Sequence, residues 1–190
     1  MGITKELSSV VMAVMLAATP IGESNVESMD YIPQVQREVT VIEKTAYRNI
    51  VDLPDIESSF KTFMDYRTIT DSTSKQWALQ QDAHTDENGL RKIGEYYCIA
   101  VGSGIVDKIG TKLKIKLVSG SEFYAIVADQ KADIHTDKTN KYRHVSNGRG
   151  NVIEFIVNEN CLPAIVLQMG NVDYMPNGNF SGEILEIEVM

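Results

Sequence analysis

Cysteine is scarce in this 190-residue chain: Cys98 and Cys161 are the only two, with no Cys-x-x-Cys spacing and no cluster of histidines near them. That excludes a zinc site of the usual Cys/His kind. Cys98 lies inside the apolar run Tyr96–Val101 and reads as a small core residue, while a Cys98–Cys161 disulfide would require an exported chain. Positive charge is also short, with 18 Lys and Arg against 26 Asp and Glu and a net charge of −8. Nucleic-acid binding needs a basic stripe to displace phosphate counterions, and the nearest candidates, Lys138, Lys141, Arg143 and Arg149, share a polar loop with Asp137. No nucleic-acid partner is expected. No apolar run reaches the roughly 20 residues that a bilayer-spanning helix needs. There is no Gly-Lys-Ser/Thr phosphate loop, no GxGxxG opening a helix, no GxSxG elbow and no HExxH, so nucleotide and hydride chemistry are disfavoured and no cofactor is expected.

What is present suits an ordinary globular chain. Apolar residues make up 43% and charged residues 23%, enough for one well-buried domain of about 100–150 residues and an appendage. Residues 1–22 form an apolar N-terminal segment in which Leu7–Ala18 follows Lys5 and precedes Thr19-Pro20-Ile21-Gly22. This outline fits a secretory signal. It equally fits an apolar helix that docks into a second subunit, giving a homo- or hetero-oligomer through residues 1–20.

Residues 23–90 read as a linker, a strand and a helical region. The polar stretch 23–35 is the linker and Glu38–Glu43 alternates as a strand. From Asp55 to Tyr66, Ile56, Phe60, Phe63 and Met64 recur at helical spacing just after Pro54, which predicts an amphipathic helix. A second short helix is expected from Asp71 or Ser72, carrying Trp77 and Leu79 and ending in the Asp82–Gly89 loop.

Residues 91–190 change to β character. Tyr96–Val101 is apolar throughout, as in a strand buried on both faces. In Lys112–Val118, Leu113, Ile115 and Leu117 alternate with lysines, which predicts one wet face. Ser119-Gly120-Ser121 should turn tightly into Glu122–Ala128. Asn151–Val157 is a further strand, Leu162–Leu167 a short helix or strand, and Gly182–Val189 a closing strand. At least six short strands favour a closed barrel in a mainly β (α+β) chain, preceded by an α-helical segment and the apolar N-terminal helix.

Candidate chemistry gathers where the β-runs end. Asp129 closes an apolar strand, where desolvation raises a carboxyl pKa, and Asp133, His135 and Asp137 follow at alternating positions. His135 beside two acids could hydrogen-bond a substrate or relay a proton, but no metal site has this spacing and none is expected. Tyr96, Tyr97, Tyr124, Tyr142 and Trp77 are available for sugar stacking or for packing.

The order Ala100-Val101, Ile109-Gly110-Thr111-Lys112-Leu113, Tyr124-Ala125-Ile126-Val127-Ala128-Asp129 and Asn151-Val152-Ile153-Glu154-Phe155-Ile156-Val157 resembles the three-aspartate (3D) domain, a double-psi β-barrel family that includes lytic transglycosylases of peptidoglycan. The resemblance covers about residues 94–157. It implies a small six-stranded double-psi-like barrel, with Asp129 and Glu154 as catalytic residues, while Asp133 and His135, from their spacing, and Tyr124, as a stacking aromatic, are the candidate substrate-binding residues. Peptidoglycan glycan strands are the implied partner, and a cell-wall, extracellular or virion-associated location follows, with the cytoplasm left open. Gly102 and Ser103 stand where the family has its first aspartate, Gln130-Lys131-Ala132 where it has Thr-Gly-Gly, and Glu154 where it has aspartate. A non-catalytic structural or binding subunit of a virion, a phage tail or another assembly is the alternative the same residues allow.

Overall fold

The computed structural model describes the backbone of residues 3–7 and the structure of residues 47–190. The expected helix within Leu7–Ala18, the linker 23–35 and the strand Glu38–Glu43 therefore lie outside the described residues, apart from Leu7 itself. In chain order the elements are β1 (Ile3–Leu7), β2 (Tyr47–Val51), β3 (Thr62–Asp65), α1 (Lys75–Asp82), β4 (His84–Thr85), β5 (Arg91–Ile93), β6 (Tyr96–Val101), β7 (Lys112–Leu117), β8 (Glu122–Gln130), β9 (Arg143–His144), β10 (Gly150–Asn151), β11 (Ile153–Val157), α2 (Ala164–Met169) and β12 (Ile184–Val189).

The chain is mainly β, with a mixed sheet of ten strands and few helices among the described residues. Its main path runs β1-β2-β12-β7-β8-β6-β11-β3, with β5 and β4 added beside β6, and β9 and β10 form a separate hairpin. The pairings β6/β8 and β11/β3 are parallel, whereas β2/β12, β12/β7, β7/β8, β6/β11, β5/β6, β4/β5 and β9/β10 are antiparallel. The sheet has ten strands against the six expected from the sequence: β6, β7, β8, β11 and β12 lie where strands are expected, β3 lies in the stretch expected as a helix, and β1, β2, β4 and β5 are short strands with no strand signal of their own. No helix among the described residues is long and apolar enough to cross a membrane.

Local sequence explains most of these strands. In β7, Leu113, Ile115 and Leu117 are fully buried while the lysines between them stay at the surface. Those lysines meet acids across the ladder: Lys114 stands opposite Glu188 and Lys116 opposite Glu186. Arg48 from β2 hydrogen-bonds both glutamates, with its Nε 3.1 Å from Glu188. Such cross-strand charge pairs fix register more than they add stability. Gly120, at φ 89°, takes the left-handed position that lets the β7–β8 hairpin close, with Gly120 N donating to Leu117 O at 2.9 Å.

One face of the sheet builds the main core, where Tyr97, Phe123, Phe155 and Phe180 meet mostly edge to face, with Tyr97 and Phe180 at a centroid distance of 5.1 Å. The other face carries a smaller core of Cys98, Ile126, Ala128 and Ile156, with Leu79 and Ala83 at α1 packed over it. The helix expected from Asp71 or Ser72 is thus present as Lys75–Asp82, capped by Ser74, whose Oγ accepts from Trp77 N at 3.1 Å.

The helix expected over Asp55–Tyr66 is not formed. Thr62–Asp65 pairs in parallel with Glu154–Val157, and Glu57 bridges Arg149. Phe63 and Met64 belong to one face of a helix but to opposite faces of a strand. Here Phe63 packs on the main core and Met64 on the smaller one. Lys61 explains the choice further: it is fully buried, and its Nζ reaches Ser59 O at 2.9 Å, Gly182 O at 2.6 Å and Asp173 Oδ1 at 3.2 Å. An amphipathic helix would have sent that lysine to water.

Candidate functional site

Strand β8 is straight in register with β6 through Ile99 and Val127, and then slips so that Ala100 faces Asp129. Ala128 is the extra residue of this β-bulge. A bulge re-aims the side chains that follow it. Without it Asp129 would share the face of Val127, in the main core; with it, Asp129 takes the register of Ala100 on the face beneath α1. Strand β11 places Glu154 opposite the same Ala100 from the other side. Asp129 and Glu154 therefore flank one alanine on one face, with their Cα atoms two strand spacings, roughly 10 Å, apart.

Asp129 is half-buried. Burial pushes its carboxyl pKa above the ordinary 3.8, and the negative charge of Glu154 adds to that, while the Gln130 backbone and the Gln76 side chain of α1 pull it partly back. This combination of desolvation and a like charge is what keeps an acid protonated above its usual range.

Lys131, two residues beyond Asp129, is 8% exposed, and its Nζ donates to Asn151 O at 3.0 Å. Burial pushes its ammonium pKa down to about 8, against the pull of Glu154 and with the help of Arg143. A recess of about 100 Å³ lies beside Glu154, lined by Lys131, Ala132, His135, Thr136 and Arg143. Asn151 is the hinge of this corner: its Oδ1 accepts from Thr62 N at 3.2 Å and its Nδ2 donates to Thr62 Oγ1 at 2.6 Å.

The other residues singled out from sequence fall into two groups. His135 reaches the wall of the recess from an exposed 3-10 turn, Asp133–His135, and Asp133 is held from the side by Ser103 Oγ at 2.7 Å. Asp133–Asp137 is thus a turn rather than the extended segment its alternation suggested. Tyr124 lies apart, five residues before Asp129 on β8, which is roughly 16 Å along a strand. It packs edge-on against Tyr96 at 6.0 Å and lines a different, larger hollow of about 410 Å³ with Glu95, Tyr97 and Phe180. Asp137 serves the loop: although burial pushes its carboxyl up, donors from Thr139, Lys141 N at 2.8 Å and Tyr142 N at 3.1 Å bring it down to about 2.

Cys98 is buried and Cys161 exposed, and both are free thiols. Burial pushes the Cys98 thiol up to about 11, which leaves it an inert core group. Among the described residues no group of three or more His, Cys, Asp or Glu side chains is placed to hold a metal ion.

Gln76, Lys131 and Asn151 carry no functional reading in the sequence, and Arg143 reads there only as one base of a polar loop. Lys131 carried one usable signal, its i+2 spacing from Asp129, which keeps it on the same side of an extended chain. Gln76 and Arg143 reach the corner from separate elements and carry no local mark. Comparison of the chain with family models, characterised proteins and solved structures finds no match.

Proposed function

We propose that this chain is a peptidoglycan-associated domain of double-psi-like barrel type, with Asp129 as the acid–base group of a lytic transglycosylase-like cleavage. The observation that carries the reading is the bulge-placed, half-buried Asp129, held protonated above its ordinary range with Glu154 across Ala100. A group of this kind suits both halves of a water-free glycan cleavage. As the acid, Asp129 gives its proton to the glycosidic oxygen while the bond from that oxygen to C1 breaks. As the carboxylate, it then takes the proton of the C6 hydroxyl while O6 closes on C1, leaving a 1,6-anhydro sugar and regenerating the acid. Glu154 supplies negative charge near the oxocarbenium-like centre. A cell-wall or virion-associated setting accompanies this reading.

A second reading, a non-catalytic binding subunit of a virion or other assembly, draws on the position of Tyr124. An aromatic surface roughly 16 Å from the acid could grip a glycan without cleaving it. The deciding experiment is digestion of purified peptidoglycan by the full chain and by Asp129→Asn, with products identified by mass spectrometry. Anhydro-muropeptides that fall by about 10²–10⁴-fold in the variant support the enzyme. Retention of wild-type chain on insoluble wall with no soluble products supports the binding subunit.

A further inference from the structure

The recess beside Glu154 contains two cations that the proposed cleavage does not use. Lys131 is more than nine-tenths buried, yet its ammonium has one hydrogen bond to protein, to Asn151 O, and no ion pair within 4.0 Å among the described residues. An ammonium has three N–H donors, so two are left for whatever enters the recess. Arg143 stands on the same wall. Its backbone is fixed there because β9 and β10 pair Arg143 with Asn151, the residue whose carbonyl holds Lys131. One asparagine thus sets both cations, and the guanidinium forms neither an ion pair nor a side-chain hydrogen bond among the described residues. In a chain of net charge −8, the recess carries two positive charges against the single negative charge of Glu154.

We propose that this recess is a binding site for a single carboxylate group, gripped by the Arg143 fork and by the free donors of Lys131. A buried charge is costly unless it is paired, and a carboxylate supplies the missing partner of buried Lys131 while exposed Arg143 reaches it from the rim. The planar guanidinium matches a carboxylate through two parallel hydrogen bonds. A monoanion also fits the local charge: it neutralises the excess left by Glu154, whereas a phosphate dianion adds a second charge that Glu154 repels. The recess, at about 100 Å³, admits a carboxylate and a short stem. Its ligand class is a small acid or the carboxylate end of a larger molecule. This site does not depend on glycan cleavage, since binding is expected whether or not Asp129 acts as an acid.

The test is a backbone amide NMR titration of the full chain with sodium acetate, with sodium chloride and with sodium phosphate, each at the same ionic strength. Saturable acetate shifts at Lys131, Ala132, Thr136, Arg143 and Asn151 are expected, with chloride producing none. Arg143 is exposed, so Arg143→Gln keeps the fold and is expected to weaken acetate binding about tenfold. Lys131→Met should abolish it, and Arg143→Gln decides the matter if that variant does not fold. Linear shifts shared with chloride, or acetate binding unchanged in Arg143→Gln, overturn the site. Saturation by phosphate but not by acetate overturns the assignment to a carboxylate.

Discussion

Three buried or half-buried charges account for much of what this chain does at the scale of single residues. Asp65 accepts from Arg67 Nε at 2.7 Å, Arg67 N at 2.9 Å and Glu159 N at 3.0 Å, so it clips the end of β3 to the loop after β11. Its hydrogen bonds to Arg67 hold the carboxyl at about 2, below the ordinary 3.8. A depressed folded-state pKa stabilises the fold above the unfolded value and is lost as pH falls through the folded one. Asp65→Asn should therefore cost about 1–2 kcal/mol at neutral pH, discounted because half-exposed Arg67 is screened by water, with the difference closing as the pH falls from about 4 towards 2. Chemical denaturation across that range checks it.

Asp129 has the opposite sign. Its raised pKa means that ionising it disfavours the fold, so the cost is absent below the ordinary 3.8 and grows as pH rises from there to the folded-state value. Asp129→Asn should raise the melting temperature at neutral pH, and the gain should vanish in acid. An acid kept for chemistry at some expense to stability behaves in this way. Lys61→Ala leaves Asp173 without its buried partner and should cost about 2–3 kcal/mol, read from the shift in denaturant midpoint at unchanged slope. Asp129 was legible from sequence because it ends an apolar run. Lys61 was not, since a lysine in an amphipathic pattern signals a wet face and its three acceptors come from Ser59, Asp173 and Gly182, the last two far along the chain.

At the scale of elements, the alternating strands were readable and the irregular joins were not. The lysine–leucine alternation of β7 and the turn at Gly120 follow from local chemistry. β3 was misread because Ile56, Phe60, Phe63 and Met64 satisfy a helical period, whereas the parallel partner that makes a strand of this stretch is β11, distant in sequence. The bulge at Ala128 leaves no mark in sequence at all, yet it decides which face Asp129 occupies. Gly102 and Gly104 belong to this class. A Cβ on Gly102 would lie 2.0 Å from Asn140 O, and one on Gly104 2.0 Å from Thr139 O, so the two backbones meet directly, with Gly104 N donating to Asn140 O at 2.9 Å. Gly102 thus serves a seam that holds the recess loop. Gly102→Ala should destabilise the fold by about 1–3 kcal/mol, and amide exchange should quicken first at Asn140 and Lys141 if the seam opens locally.

For the whole molecule, the ten-stranded mixed sheet gathers carboxylates from β8 and β11 and cations from the loop between them into one corner, beneath the edge of α1. The β-rich class was visible in the pattern of short apolar runs. The composition of the corner was not, because Gln76, Lys131, Arg143 and Glu154 come from four separate stretches that only the strand order brings together. Asp129 is the centre of this corner: an acid that stays protonated above its ordinary range because the fold buries it and sets Glu154 across Ala100. Carbon-detected NMR titration of the Asp129 side-chain carboxyl, in the full chain and in Glu154→Gln, measures this directly. A midpoint above 3.8 that moves down, though not fully back, when Glu154 is neutralised is expected. A midpoint at or below 3.8, unchanged in Glu154→Gln, would contradict it.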